Sequence, residues 1–311
     1  MSDRRQFIKS FSAASISPFL INSTSLINFK KRLRASLNPG AIGLKCSPKE
    51  LLDFAIKYEF NSISPLIEDL LQLNESNREA YLSKMRKNKI TFDSAGLPIE
   101  FRTSELKFRD GFEFLKNNIN KIVALNISSF VTWIMPTHKS LTYNKNFFQH
   151  RTRLNKIASL LENSGLKLGL EYVGPKTLMI RDKYPFLHSI SELKELIEAI
   201  GKNNIGYLLD SFHTYCAEDK LADLDFLNGD DIISVQLNDG VLGRTVETQM
   251  DLERELPGDT KIIDIKAFIN FIRSKGYEGP VSVEPFNNVL NKMDANKKLQ
   301  RARESLQRFS I

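Results

Sequence analysis

The feature that most restricts the fold is an alternation. From residue 41 onward, short apolar runs are separated by amphipathic segments of helical period, with no long linker or low-complexity tract between them. Eight runs are predicted as strands: Ala41 to Cys46, Phe60 to Ser64, Ile90 to Ser94, Ser128 to Ile134, Leu166 to Tyr172, Ile205 to Asp210, Ile232 to Leu237 and Val281 to Glu284. Helices are predicted at Lys49 to Tyr58, Asn77 to Lys87, Gly111 to Leu125, Phe147 to Asn163, Ile190 to Ile200, Ile265 to Lys275 and Leu290 to Gln307. Near-continuous apolar strands spaced by helices bury both faces, as parallel sheets do. Eight such units in roughly 270 residues predict an α/β chain folded as a single (β/α)8 TIM barrel. A doubly wound open sheet is the alternative, but no Gly-x-Gly-x-x-Gly follows the first strand. Helix stops agree, since Gly165 precedes the fifth strand and Gly276 the eighth.

Each of the last four strand candidates ends in an oxygen donor: Glu171 in LKLGLEYVGP, Asp210 in IGYLLDSFH, Gln236 in ISVQLNDG and Glu284 in VSVEPFN. Barrel closure converges the C-terminal strand ends on one mouth, where side chains distant in sequence can meet around one ion. Strand parity supports the set. Residues two apart share a face, which puts Gly169 beneath Glu171, Ser234 beneath Gln236 and Ser282 beneath Glu284, while Leu170, Val235 and Val283 face the helices. Leu208 below Asp210 breaks the pattern. A single acid at a strand end is as readily a helix cap or turn former; four in succession are not. Three carboxylates and an amide oxygen favour a hard divalent ion, Mn²⁺ or Mg²⁺ first, with Zn²⁺ or Co²⁺ as alternatives.

His213, three residues past Asp210, is the candidate for acid/base work, because an unperturbed imidazole titrates at about 6.5. Its alternatives are a supporting group or a loop histidine. Arg254, ahead of Leu256-Pro257-Gly258, either reaches over the mouth to anchor an oxyanion or stays solvated in its charged run. Trp133, the only tryptophan, floors a sugar site or fills core. Asn238 and His188 complete the substrate-binding candidates. His138 is placed with His188 in βα loops, and His150, near a helix start, is expected at the surface.

The formal charge of +7 invites a nucleic-acid reading, but its location removes the invitation. Residues 1 to 35 carry Arg4, Arg5, Lys9, Lys30, Lys31, Arg32 and Arg34 against Asp3 alone, and the remaining basic and acidic residues almost balance. No broad phosphate-binding field remains. Asp3-Arg4-Arg5-Gln6-Phe7-Ile8-Lys9 leads into an apolar stretch from Phe11 to Ile21 and then polar Asn22-Ser23-Thr24-Ser25, the order of parts in a twin-arginine export signal. An ordinary basic tail is the other reading. The apolar stretch is too short, and too interrupted by Ser and Pro18, for a permanent membrane span. Residues 1–35 are therefore assigned to an export signal and basic linker, and 36–311 to the barrel. The expected location is periplasmic, through the twin-arginine export machinery, or cytoplasmic if the signal is not used. Cys46 and Cys216 lie in no metal-binding spacing; a bridge between them and two free thiols both stay open, as does a homodimer.

In GLEYVGP, NIGYLLDSFHTY, VQLNDG, the stretch ending RELPGDTKIID, and GPVSVEPF, the chain resembles the sugar phosphate isomerase/epimerase family of xylose isomerase-like TIM barrels. This resemblance covers roughly residues 40 to 305. It implies that Glu171, Asp210, Gln236 and Glu284 hold the metal and that His213 contacts substrate. It further implies that Glu171 and Glu284 exchange the substrate proton, and that Arg254 holds the place of a basic residue before the family's Pro-Gly turn. Many epimerases of the family carry His at the third ligand position, whereas this chain has Gln236, as lyase-type members resembling dehydroshikimate dehydratase do. Endonuclease IV shares the superfamily, but its three-zinc cluster needs more histidine than the four present here.

The expected activity is that of a divalent-metal-dependent isomerase or epimerase. Its substrate would be a sugar, keto-sugar or cyclitol-like molecule that loses the proton next to its carbonyl and passes through a metal-stabilised enediolate. A lyase of the dehydroshikimate or inosose dehydratase type would use the same site. A carbohydrate-binding barrel without turnover is the alternative from another class.

Overall fold

The computed structural model describes residues 33–311, and the expected export signal lies outside the described residues. The strands are β1 (Arg34–Leu37), β2 (Ser62–Ile63), β3 (Thr91–Phe92), β4 (Ala95–Gly96), β5 (Ser129–Ile134), β6 (Thr137–His138), β7 (Lys167–Tyr172), β8 (Tyr184–Pro185), β9 (Ile205–Asp210), β10 (Ile232–Leu237) and β11 (Pro280–Val283). Nine of them form one sheet in the order β3-β2-β1-β11-β10-β9-β7-β5-β4, and every pairing in it is parallel. β3 and β4 stand at opposite ends of that order, yet only Asp93 and Ser94 separate them along the chain. One broken strand thus pairs with β2 through its first half and with β5 through its second, closing an eight-stranded (β/α)8 barrel. The break is fastened from inside. Ser234 Oγ donates to Asp93 Oδ1 across 3.1 Å, and Ser94 Oγ lies 2.8 Å from Ser129 Oγ.

Helices cover the outer face because their apolar residues recur every three to four positions. The helix Ile265–Ser274, for example, buries Ile265, Phe268, Ile269 and Ile272. Ser47 and Glu50 form a reciprocal capping box on Pro48–Lys57, and Asp264 Oδ1 accepts the Ala267 N–H at 2.9 Å. Each such cap contributes roughly 0.5–2 kcal/mol. Gly165 and Gly276 adopt φ of +69° and +82° after their helices, as expected of glycine stops.

Three local expectations are corrected. The first strand is Arg34–Leu37 rather than Ala41 to Cys46. Charge alone places Arg34 in the linker, but its backbone pairs with Pro280. Ala41 and Ile42 are buried within a 3-10 turn, Gly40–Ile42, closed by Gly43 at φ +61°. The last predicted helix is two, Asn288–Asn291 and Ala295–Gln307, because Asp294 takes the Lys297 N–H and caps the second. His150 is buried, not at the surface. The helix carrying it, Tyr143–Glu162, begins earlier than its pattern suggests, and the ring packs against Phe101 and Phe186 at 5.4 and 4.8 Å. Cys46 and Cys216 are free thiols. Among the described residues, no helix is long and apolar enough to cross a membrane.

Candidate active site

β7, β9, β10 and β11 are neighbours in the sheet, so Glu171, Asp210, Gln236 and Glu284 reach the same mouth, and all but Glu284 are almost fully buried. The parity reading holds with one amendment. Ser234 and Ser282 line a cavity, as small residues below polar tips should. The space over Gly169 and Gly206 is instead filled by Ile233, which follows an irregularity in the pairing of β10 with β9.

Arg254 occupies the centre of the group. Its guanidinium donates through Nη1 to Asp210 Oδ2 at 3.0 Å and Glu284 Oε2 at 3.5 Å, and through Nη2 to Asp251 Oδ1 at 2.6 Å. It lies between the rings of Phe212 and Phe286, 4.9 and 5.4 Å from their centroids. The solvated alternative for this arginine is therefore excluded. Its loop is anchored at both ends: Arg254 N donates to Pro285 O, and Asp239 exchanges backbone bonds with Glu255. Buried Asp239 also accepts the N–H groups of Gly240, Thr260, Lys261, Ile262 and Ile263. The expected Leu256-Pro257-Gly258 turn closes with Asp259 N donating to Leu256 O at 3.0 Å.

Three carboxylates, those of Asp210, Asp251 and Glu284, thus pair with one guanidinium, and a fourth, Glu171, acts on it through its charge while lying 3.7 Å from His213 Nε2. Burial, reinforced by the charge of Glu284 and Asp210, holds the Glu171 carboxyl well above its usual range. Burial raises Glu284 to about 7 against the opposing pull of Arg254. Asp210 is raised by burial too, although Arg254, the Phe212 N–H at 2.7 Å and Asn238 Nδ2 at 2.9 Å favour its charged form. The surrounding acids push the Arg254 pKa up despite its burial.

A divalent cation fits this donor set. Glu171 Oε1 and Gln236 Oε1 are buried with no hydrogen-bond partner among the described residues, and each unmet oxygen costs desolvation. Ligand atoms of Glu171, Asp210 and His213 all lie within 4.8 Å of one another. His213 thus stands beside two of the expected ligands.

His213 differs from the expectation of a group poised near neutrality. Burial first, and then the charge of Arg254, hold it well below its ordinary value. The Gly174 N–H faces Nδ1 at 3.4 Å and Arg254 Nη2 faces Nε2 at 3.3 Å, and both are donors. Gly174 has to be glycine, since a Cβ there would meet His213 O at 2.3 Å.

The remaining candidates divide. Trp133 is half exposed and lines the mouth, so it does not fill core. Asn238 is fully buried and does not line the mouth. It joins the strand ends, its Nδ2 donating to Asp210 Oδ2 and its Oδ1 accepting the Glu284 N–H at 2.8 Å. His188 bonds Glu192 at 3.1 Å beside the helix Ile190–Ile200 and lies outside the lining of the mouth. His138 accepts the Ser140 and Leu141 N–H groups and does not line it either. Sequence reasoning missed Asp251, whose i,i+3 spacing to Arg254 was the available signal.

Residues 52–309 match the family model described as xylose isomerase-like TIM barrel. The chain belongs to this family. It is 23% identical over 201 residues to an inosose isomerase of Halalkalibacterium halodurans, spanning 65% of this chain and 68% of that one. A xylose isomerase domain protein from Alicyclobacillus acidocaldarius superposes with a TM-score of 0.78 at 26% identity, covering 89% of this chain and 98% of that one. The IolI protein with a bound zinc atom superposes with a TM-score of 0.74 at 18% identity, over 89% and 98% of the two chains.

Proposed function

We propose that the protein is a divalent-metal-dependent isomerase or epimerase that moves the proton next to a carbonyl of a keto-sugar or cyclitol-like ring. The observation that carries this reading is the excess of buried carboxylate around one guanidinium, with the oxygens of Glu171 and Gln236 left without partners. The similarity to an inosose isomerase supports the substrate class. Glu171, Asp210 and Glu284, with Gln236 or His213, would hold the ion. When bound, a divalent cation supplies positive charge that polarises a carbonyl.

The chain's own groups supply the rest. Glu171 and Glu284 are the acid/base pair, for burial raises both carboxyls above the usual range, Glu284 to about 7, where a group can both take and return a proton. Neutral His213 and cationic Arg254 orient a substrate oxygen, Asn238 holds Asp210 and Glu284 in register, and Trp133 offers a ring face. A lyase outcome is the second reading, favoured by Gln236 at the third ligand position. Export through the twin-arginine signal at residues 1–35, to the periplasm, is proposed from the order of its parts.

Solvent deuterium entering an inosose or keto-sugar in the presence of Mn²⁺ tests the chemistry. Glu284→Ala is expected to lose both Mn²⁺ binding and exchange, whereas His213→Ala keeps some Mn²⁺ binding and loses exchange. Full exchange in either variant, or none in the parent across a broad panel, refutes the assignment.

A further inference from the structure

Asp93 is a buried carboxylate outside the donor set. It lies in the break between β3 and β4, is 6% exposed, and shares the wall of a cavity of about 300 Å³ with Glu171, Gln236 and Glu284. Small-molecule pockets begin at roughly this volume. Two bonds fasten its side chain, from the Ser94 N–H at 2.6 Å and from the Ser234 hydroxyl at 3.1 Å, and both end on Oδ1. An asparagine oxygen would accept them equally and would escape the cost of burying an ionisable group. What aspartate adds is its second oxygen.

Charge does not account for that oxygen. Arg254 pairs with Asp210, Asp251 and Glu284 but, among the described residues, not with Asp93. Arg34 favours the ionised form less than the bonds from Ser36, Ser94 and Ser234 do, and burial outweighs them all, holding the carboxyl above its usual range. A carboxylate accepts about four hydrogen bonds, so capacity for one more donor remains on the cavity wall.

Depth decides what that donor can be. Ser234 stands two residues below Gln236 on the same face of β10, and two residues of a strand span about 7 Å. Asp93, bonded to Ser234, therefore sits one layer beneath the oxygens that would surround a carbonyl. This offset is comparable with the width of a six-membered ring.

We infer that Asp93 is a specificity-determining residue, which accepts a hydroxyl on the side of a cyclic substrate opposite the reacting carbonyl. The inference deepens the proposed function and rests on it, because Glu171 and Glu284 place the carbonyl. A polyhydroxylated ring spans both levels. A ring without that hydroxyl leaves the buried carboxylate without its donor, and a site built for a hydroxyl rejects the analogue that lacks it.

Solvent deuterium exchange, with Mn²⁺ present, is compared for a pentahydroxycyclohexanone with all hydroxyls equatorial and for its tetrahydroxy analogue lacking the hydroxyl opposite the carbonyl. The parent is expected to prefer the first by about tenfold or more in kcat/KM. Asp93→Ala should reduce that preference to within about twofold by slowing the pentahydroxy ketone alone, whereas a merely structural role would slow both ketones equally and keep the ratio. Should Asp93→Ala fail to fold, Asp93→Asn keeps an oxygen for Ser94 and Ser234 and exchanges the second acceptor for a donor; its preference should fall by about threefold or more. Trp133, the only tryptophan, lines the same cavity, so its fluorescence reports the affinities of the two corresponding cyclitols, which lack a carbonyl and should show the same dependence on Asp93. A parent without preference, or a preference that survives substitution, overturns the inference, while exchange into the pentahydroxy ketone leaves the proposed function standing. If neither ketone exchanges yet cyclitol affinity still depends on Asp93, the proposed function falls and the contact remains; absence of both exchange and affinity removes both.

Discussion

Replacing Arg254 with methionine removes the guanidinium but keeps much of the side-chain volume. Asp210, Asp251 and Glu284 then lose donors at 3.0, 2.6 and 3.5 Å in a buried site. Breaking a buried ion pair from one side costs about 3–5 kcal/mol, because the remaining charge has no compensation. In a domain of this size about 2 °C of midpoint accompanies each kcal/mol, so thermal unfolding in EDTA should fall by about 6–10 °C. The loss should be smaller at pH 5.5 than at pH 8. Glu284, raised by burial to about 7, takes up a proton at the lower pH and relieves the repulsion. Saturating Mn²⁺ should then raise the midpoint more in the variant than in the parent. The variant's site carries one more net negative charge, and a ligand at 1,000 times its Kd contributes about 4 kcal/mol. Circular dichroism melts in EDTA and in Mn²⁺ at both pH values give the four numbers required. An Arg254→Met midpoint equal to the parent's in EDTA, or an identical Mn²⁺ increment in both proteins, would refute the charge accounting.

Asn238→Ala should weaken Mn²⁺ binding by about 10- to 100-fold, since the groups that hydrogen-bond metal-holding side chains orient them, as Asn238 does for Asp210 and the Glu284 backbone; electron spin resonance titration checks it, and unchanged affinity removes Asn238 from that role. Burial lowers the His150 pKa to about 3, so between that value and about 6.5 the unfolded chain binds a proton that the folded state refuses. Stability should thus fall as pH drops, by about 2 kcal/mol between pH 7 and 5 relative to His150→Phe; parallel urea melts of the two proteins at these pH values would show the reasoning wrong. Arg4→Lys combined with Arg5→Lys should hold the protein in the cytoplasm, and undiminished periplasmic accumulation in cell fractions counts against the export route.

The barrel and the strand-end donors were legible because they follow from local periodicity. A parallel strand buried on both faces has to be apolar along its length, so the polar residue at its tip stands out, as Glu171 and Asp210 do in LGLEY and YLLDS. β1 was hidden because it is short and opens with Arg34, a charged residue. The cap that splits the last helix at Asp294 carries a weaker signal than the amphipathic pattern running through it. His150 escaped notice because its burial depends on Phe101 and Phe186, which come from other parts of the chain.

Sequence by itself determined which residue types end each strand, and therefore that acids and an amide would crowd one mouth. Only the tertiary structure decided what stands among them. Arg254 reads as one member of a charged surface run until the Asp239 clasp and the Pro285 carbonyl fold its loop back over the barrel. His213 reads as a near-neutral imidazole until burial and that same guanidinium hold it uncharged. Periodicity is a property of neighbours along the chain, whereas desolvation and charge are summed over neighbours in space, and barrel closure is what brings those together.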